Sequence, residues 1–324
     1  MNEPTAPFVQ SALHVAGPQA ARIEDLWWLM FWVCTVVYVL VLVPLLAAIL
    51  RRRPPVVTPV PRPEPERERD IGRVVWSAVA LTALTLFLMI AASYVIDKGL
   101  DALAHDEEVS IEVTARQWWW QVRYDGTPEN RSFTTANEIH IPVGATVKLT
   151  LKSVDVIHSF WVPPLHGKLD HIPGQDNVLY LRADRPGTYR GQCAEFCGAQ
   201  HAKMAFEVVA EDRESFTRWW DAQLAPAPQP ADEAQERGLA VFLAGPCTMC
   251  HTIRGTNAGA RSGPDLTHVG SRHTLAAGAL PNGRGYLAAW IADPQGIKPG
   301  NHMPATNLEP QDFQALVSYL ESLK

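Results

Sequence analysis

The chain has 324 residues, 47% of them hydrophobic, and a formal net charge of -6. That is enough material for two or three domains with separate cores. It lacks the basic excess that a nucleic-acid binder needs to neutralise phosphates, so no nucleic-acid partner is expected.

The apolar residues are concentrated at the start. Residues 26–50 and 74–96 contain no charged side chain, and as helices they reach roughly 38 and 35 Å, each enough to cross a hydrocarbon core of about 30 Å. Pro44 in the first run is tolerable in a bilayer helix, and Cys34 reads as a small buried hydrophobe. A signal peptide is the alternative for the first run, but its apolar stretch is too long and Glu24 and Asp25 precede it where basic residues belong. Between the runs stand Arg51, Arg52, Arg53, Arg62, Arg67, Arg69 and Arg73, against Glu64, Glu66, Glu68 and Asp70. The arginine excess points the loop to the cytoplasm, so residues 1–25 and everything after 97 face outward. The expected setting is a bacterial plasma membrane, with lipid around two spans.

After an acidic connector, period-two patterning predicts strands over 109–115, 138–141, 146–152, 177–183 and 205–209. Short strands separated by Pro and Gly turns predict a β-sandwich or small barrel over 97–222. Gln117-Trp118-Trp119-Trp120 falls in a further strand just outside the membrane, where three adjacent indoles by themselves read as core plus an interfacial aromatic belt. His158, in Ser153-Val154-Asp155-Val156-Ile157-His158-Ser159-Phe160-Trp161, ends a predicted strand. Further on, Cys193-Ala194-Glu195-Phe196-Cys197-Gly198-Ala199-Gln200-His201-Ala202-Lys203-Met204 sets two thiols, an imidazole and a thioether in one loop. Soft and borderline donors of this kind favour copper, and a loop alone holds copper poorly, which makes His158 a candidate ligand supplied by the fold. His14, His105, His140, His166 and His171 fit no ligand pattern.

A helix is expected over 212–224. The tract Ala225-Pro226-Ala227-Pro228-Gln229-Pro230 then reads as a semi-rigid linker, within a boundary at 223–231. Helices follow over 232–243, 286–292 and 310–323. Cys247-Thr248-Met249-Cys250-His251 is the C-x-x-C-H pattern in which Cys247 and Cys250 bond the vinyl carbons of a haem and His251 becomes an iron ligand. Disulfides are the structural alternative for these four cysteines, but both contexts would be wasted on a cross-link.

Two apolar helices, an outward β-domain, the run from Asp155 to Pro163 and the Cys193–Met204 loop together resemble subunit II of the haem-copper cytochrome c oxidases, over residues of about 20 to 222. The resemblance implies a cupredoxin-like domain holding binuclear CuA. Cys193 and Cys197 would bridge the coppers, with His158 and His201 as imidazole ligands, Met204 as a weak thioether ligand and the Glu195 backbone carbonyl completing the set. It also implies a magnesium or manganese ion on the Glu195 carboxylate at the contact with subunit I, and makes Trp118, the first tryptophan of a Gln-Trp-aromatic-Trp segment near CuA, the electron-entry residue. Lys168-Leu169-Asp170 and Ile172-Pro173-Gly174 match the same family. In many members a glutamate one turn before a tryptophan opens a proton path; here Arg73 precedes Trp76, and no such role is carried over.

Residues 232–324 resemble a class I cytochrome c through Gly238-Leu239-Ala240-Val241-Phe242, the haem motif, Gly263-Pro264-Asp265-Leu266 and the closing helix. That likeness makes Met303, in Asn301-His302-Met303-Pro304, the sixth iron ligand, with His268, His273 and His302 as rivals, and has the Pro264 carbonyl orient His251.

The expected architecture is therefore a multidomain membrane protein: a two-helix hairpin, a cupredoxin-like β-sandwich and a small all-α cytochrome c domain. The implied role is subunit II of a caa-type oxidase, with electrons running from an external donor such as a cytochrome c to haem c, to CuA and then through the Trp118 region to subunit I. The rivals are the electron-input subunit of a CuA-type nitric oxide reductase and a stand-alone membrane-tethered electron-transfer or copper-handling protein.

Overall fold

A computed structural model describes residues 10–51, 65–100, 107–126 and 131–324. Arg52, Arg53, Arg62, Glu64 and His105 lie outside the described residues.

The two apolar runs sit inside longer helices, α1 (Pro18–Leu50) and α2 (Pro65–Leu100), both long and apolar enough to cross a membrane. The extra turns carry Arg22, Glu24 and Asp25 in α1 and Glu66 to Arg73 in α2. An apolar run marks only the stretch suited to hydrocarbon, whereas Glu and Arg are good helix formers that extend it. Large apolar side chains are exposed along both helices, among them Trp32, Leu40, Phe87 and Ile90. Cys34 is exposed with them, contrary to expectation, because an apolar helix made for lipid does not bury its side chains within its own chain. Arg73 pairs with Asp70 at 2.9 Å on the exposed first turns of α2.

The β-domain consists of two five-stranded sheets. The first has the order β3-β2-β1-β5-β8, with β1 Glu107–Arg116, β2 Trp119–Asp125, β3 Phe133–Ala136, β5 Thr146–Ser153 and β8 Asn177–Leu181. The second has the order β4-β10-β9-β6-β7, with β4 Glu138–Pro142, β6 His158–Trp161, β7 Leu169–His171, β9 Gly187–Cys193 and β10 Ala205–Glu211. Pairing is antiparallel except β1 with β5 and β10 with β4. Alternation builds the core between the sheets: Ile111, Val113 and Ala115 of β1 and Val147, Leu149 and Leu151 of β5 meet Ile139, Phe206 and Val208. Helix α3 (Arg213–Leu224), capped by Asp212 accepting from the Ser215 N–H at 2.9 Å, packs Phe216, Trp219 and Trp220 around Tyr124 and Phe133.

The C-terminal domain is helical: α4 (Glu233–Ala244), α5 (Arg284–Ala292), the single turn α6 (Pro294–Ile297) and α7 (Pro310–Ser322), with a two-stranded ribbon of β11 (Thr274–Leu275) and β12 (Leu280–Pro281). Its core joins Phe242 of α4, Leu287 and Ile291 of α5 and Leu316, Val317 and Leu320 of α7. Gly238 lets α4 and α7 touch, since a Cβ there would stand 2.6 Å from Tyr319 Cβ. The Pro-Ala tract is tied down: Ala227 is buried, its N–H donates to Arg254 O at 2.9 Å, and the Arg254 guanidinium reaches the carbonyls of Gln223 and Leu224.

Candidate metal centre and haem crevice

Sheet pairing assembles the first cluster. Strand β9 ends on Cys193, and its neighbour β6 starts at His158, with Phe160 opposite Cys193 in the register. His158 therefore opens a strand, where the sequence suggested that it closes one: β5 stops at Ser153 and the exposed turn Val154-Asp155-Val156-Ile157 separates the two. The chain leaves Cys193, turns at Gly198 (φ +110°) and makes a 3₁₀ turn over His201–Lys203 before β10. This folds the loop back on itself, and the expected donors converge. Cys193 Sγ lies 3.7 Å from Cys197 Sγ, 3.8 Å from His158 Nδ1 and 3.2 Å from Glu195 O. Cys197 Sγ lies 3.6 Å from His201 Nδ1 and 3.8 Å from Met204 Sδ. His158, both cysteines and Met204 are buried.

Both thiols are free, and 3.7 Å is far beyond a disulfide bond. It is a span that a shared metal fits: with metal–sulfur bonds of about 2.3 Å, the angle at the metal is roughly 105–110°, close to tetrahedral. Two thiolates, two imidazoles and a thioether are a copper donor set. Hydrogen bonding from Cys197 pulls the Cys193 thiol down, against burial, and the same contact raises Cys197. One proton shared by two buried sulfurs is the charge a cation would replace.

Asp155 is a residue the sequence reading missed. Its Oδ1 lies 2.8 Å from His158 Nε2, which leaves Nδ1 facing Cys193, the carboxylate–histidine arrangement that orients metal-binding imidazoles. Burial raises the Asp155 carboxyl, but hydrogen bonds from His158 and the Gln117 and Val156 N–H groups outweigh it and hold it low. A lone carboxylate among Val154, Val156 and Ile157, three residues before a candidate ligand, was the available signal.

The three indoles part company. Trp120 is core, in edge contact with Phe206 and Phe160. Trp119 lies under the Arg116 guanidinium. Trp118, 9% exposed, donates its indole N–H to Cys197 O at 2.9 Å, and the Gln117 amide donates to the same oxygen at 2.8 Å. The Glu195 carboxylate is half-exposed, 3.5 Å from Lys168 Nζ. Of the histidines read as non-ligands, His140 stacks on Trp219 between Glu138 and Glu211. His171 is bound to Lys152 O, and burial pushes it down to about 4, so it stays neutral.

A cavity of about 310 Å³ in the C-terminal domain is walled by Cys247, Cys250, His251, Phe242, Leu316 and Met303. His251 Nδ1 is 2.8 Å from Pro264 O, which makes Nε2 the lone-pair nitrogen available to iron. Gly263 is required beside it, since a Cβ there would meet the ring at 2.8 Å. An apolar hollow with two thiols and an imidazole at its rim fits a covalently attached haem. Among the proposed sixth ligands, Met303 and His302 line the cavity. His268 is instead held between the carbonyls of Lys324 and Ala225, and His273 Nδ1 is 3.0 Å from Glu207.

Trp118 also lines this cavity, 5.5 Å from the His302 ring. The indole therefore stands between the haem crevice and the copper loop.

Comparison with known proteins agrees with both halves. Residues 126–211 match the family model described as cytochrome C oxidase subunit II, periplasmic domain, and residues 235–324 match the cytochrome c model. The chain is 36% identical over 319 residues to cytochrome c oxidase subunit 2 of Alkalihalophilus pseudofirmus, covering 97% of this chain and 91% of that protein. It is 31% identical over 272 residues to cytochrome c oxidase subunit 2 of a Bacillus species, covering 78% and 74%. Similarity extends to quinol oxidase subunit 2 of Bacillus cereus, at 27% over 225 residues, 69% of this chain and 76% of the relative.

Proposed function

Because the chain belongs to the cytochrome c oxidase subunit II family and ends in a cytochrome c domain, we propose that it is the electron-accepting subunit of a caa-type oxidase. It takes electrons from an external donor such as a soluble cytochrome c and delivers them to subunit I, where oxygen is reduced. The two helices would span a bacterial plasma membrane with the Arg-rich loop inside and both domains outside.

Cys193 and Cys197 would bridge a binuclear copper centre, with His158, His201, Met204 and the Glu195 carbonyl as the other ligands. Cys247 and Cys250 would hold haem c, with His251 and Met303 on its iron. When bound, these groups supply one-electron carriers whose closed ligand sets leave no position for substrate. The protein's part is to hold them close and dry. Asp155 and Pro264 orient the two imidazoles, and the burial of both sulfurs shields the copper loop from water. Covalent fusion of the two domains replaces encounter by an intramolecular step with a high effective concentration. The half-exposed Glu195 carboxylate is assigned to a magnesium or manganese ion at the subunit I contact.

The observation that carries this reading is Trp118, which walls the haem crevice and bonds to the carbonyl of a copper-loop cysteine. The test is the electron paramagnetic resonance spectrum of the copper-loaded full chain. Hyperfine coupling to two equivalent coppers is expected; coupling to one copper, or none, would overturn it.

A further inference from the structure

Three consecutive residues of the C-terminal domain are stitched to the copper loop and to Trp118. Ile297 O accepts from Lys203 Nζ at 2.6 Å, and Pro299 O accepts from the Gln200 side-chain amide at 2.6 Å. Between them Lys298 reaches back: its Nζ donates to Trp118 O at 3.0 Å and to Ala276 O at 3.0 Å. Lys298 is 3% exposed and lines the same cavity as Met303, His302 and Trp118.

A lysine rarely gives up its hydration unless it is paired, and here the hydrogen-bond partners are two carbonyls and no carboxylate. Burial first, and the nearby Lys203 second, lower it to about 7, while Cys197 acts the other way. A leucine or methionine would fill this space without that cost. What the lysine adds is N–H donors that bind both sides of the junction at once: Trp118, whose indole holds Cys197 O, and Ala276, which follows strand β11 of the haem domain.

We propose that Lys298 is a positioning residue for electron transfer from haem c to copper, clamping the Trp118 backbone so that the indole stays between the haem crevice and the copper loop. The clamp acts through the Trp118 backbone. This rests on the relay assigned above, with electrons passing from the haem domain to the copper loop.

The experiment is flash reduction of haem c in the assembled oxidase, following reoxidation of haem c against reduction of copper. In wild type the transfer is observed; its absence would overturn the relay and the clamp with it. Lys298→Met keeps length and volume but donates nothing. It is expected to slow the transfer by about tenfold, the size of effect that loss of a charge-assisted hydrogen bond has on the docked population. The haem and copper absorption bands, and reduction of haem by ascorbate with a small mediator, are expected to be unchanged. Lys298→Arg, which can still donate to both carbonyls, restores most of the rate. A wild-type rate in Lys298→Met overturns the proposal, as does an equally slow Lys298→Arg, because filling rather than donation would then be the role. If Lys298→Met loses either absorption band, Lys298→Gln decides by the same rate criterion, its amide donating to one carbonyl.

Discussion

Trp118 donates its indole N–H to the carbonyl oxygen of Cys197 across 2.9 Å, and Gln117 donates to that oxygen as well at 2.8 Å. Both donors come from the turn between β1 and β2, and the acceptor comes from the loop between β9 and β10. The bond ties the backbone of a candidate copper-ligand cysteine to an aromatic ring that also lines the haem crevice. Two neutral hydrogen bonds to one carbonyl contribute on the order of 1 kcal/mol each, so their main effect is to hold geometry.

Trp118→Phe keeps an aromatic ring and removes the donor, while Gln117 remains on Cys197 O. The copper spectrum should persist, with transfer from haem c to copper slower by roughly tenfold and stability lower by about 1 kcal/mol. Flash kinetics and thermal unfolding measure the two. An unaltered transfer rate would remove Trp118 from the incoming path.

Cys197→Ser replaces a soft thiolate, 3.7 Å from Cys193 Sγ, by a hard hydroxyl that cannot bridge copper. The mixed-valence signal should vanish from the electron paramagnetic resonance spectrum while the haem band is retained. A preserved two-copper pattern would show that Cys197 is no bridge.

Met303→Ala should lower the haem midpoint potential and open the iron to an added ligand such as carbon monoxide or imidazole, because thioether ligation raises the potential. Redox titration and ligand-binding spectra test this. An unchanged potential would transfer the sixth position to His302, which lines the same cavity.

The junction should weaken as pH rises. His273 of the haem domain faces Glu207 at 3.0 Å, its backbone N–H donates to Glu138, and Arg272, Glu211 and His140 complete the surrounding charges. The hydrogen bond to Glu207 raises the His273 pKa, against burial and with help from Glu138 and Glu211. A raised folded-state pKa means that the stabilisation is full below the free-histidine value of about 6.5 and fades as pH climbs through the folded value. His140, also raised between Glu138 and Glu211, adds in the same direction. Thermal unfolding of wild type against His273→Gln should converge at high pH and separate below about pH 6.5; parallel curves would exclude this latch.

Much of the candidate copper site was legible in the sequence, because most of its soft donors sit in twelve consecutive residues and the chemistry of that set is narrow. The same holds for the haem motif, where thiols and imidazole are fixed by spacing. Asp155 was less legible, since a carboxylate in a turn has many uses until His158 Nε2 is found against it. Lys298 carried no signal at all: nothing in Ile297-Lys298-Pro299 announces an amine buried against Trp118 O and Ala276 O.

Strand positions followed the same division. Alternating runs such as Val147-Lys148-Leu149-Thr150-Leu151 declared themselves by period, whereas β6, β7 and β9 were not read as strands, because their length or composition alone does not announce pairing. The sequence by itself determined the two apolar helices, the thiol and imidazole spacings, and hence which cofactor classes the chain can hold, since these depend on local composition and covalent proximity. Only the tertiary structure decided that His158 reaches Cys193 and that Trp118 stands on the haem side of the copper loop. The same holds for the buried lysine that ties the two domains. Each of these contacts joins residues 35 to 184 positions apart, and sheet order and domain docking, which no local pattern encodes, bring them together.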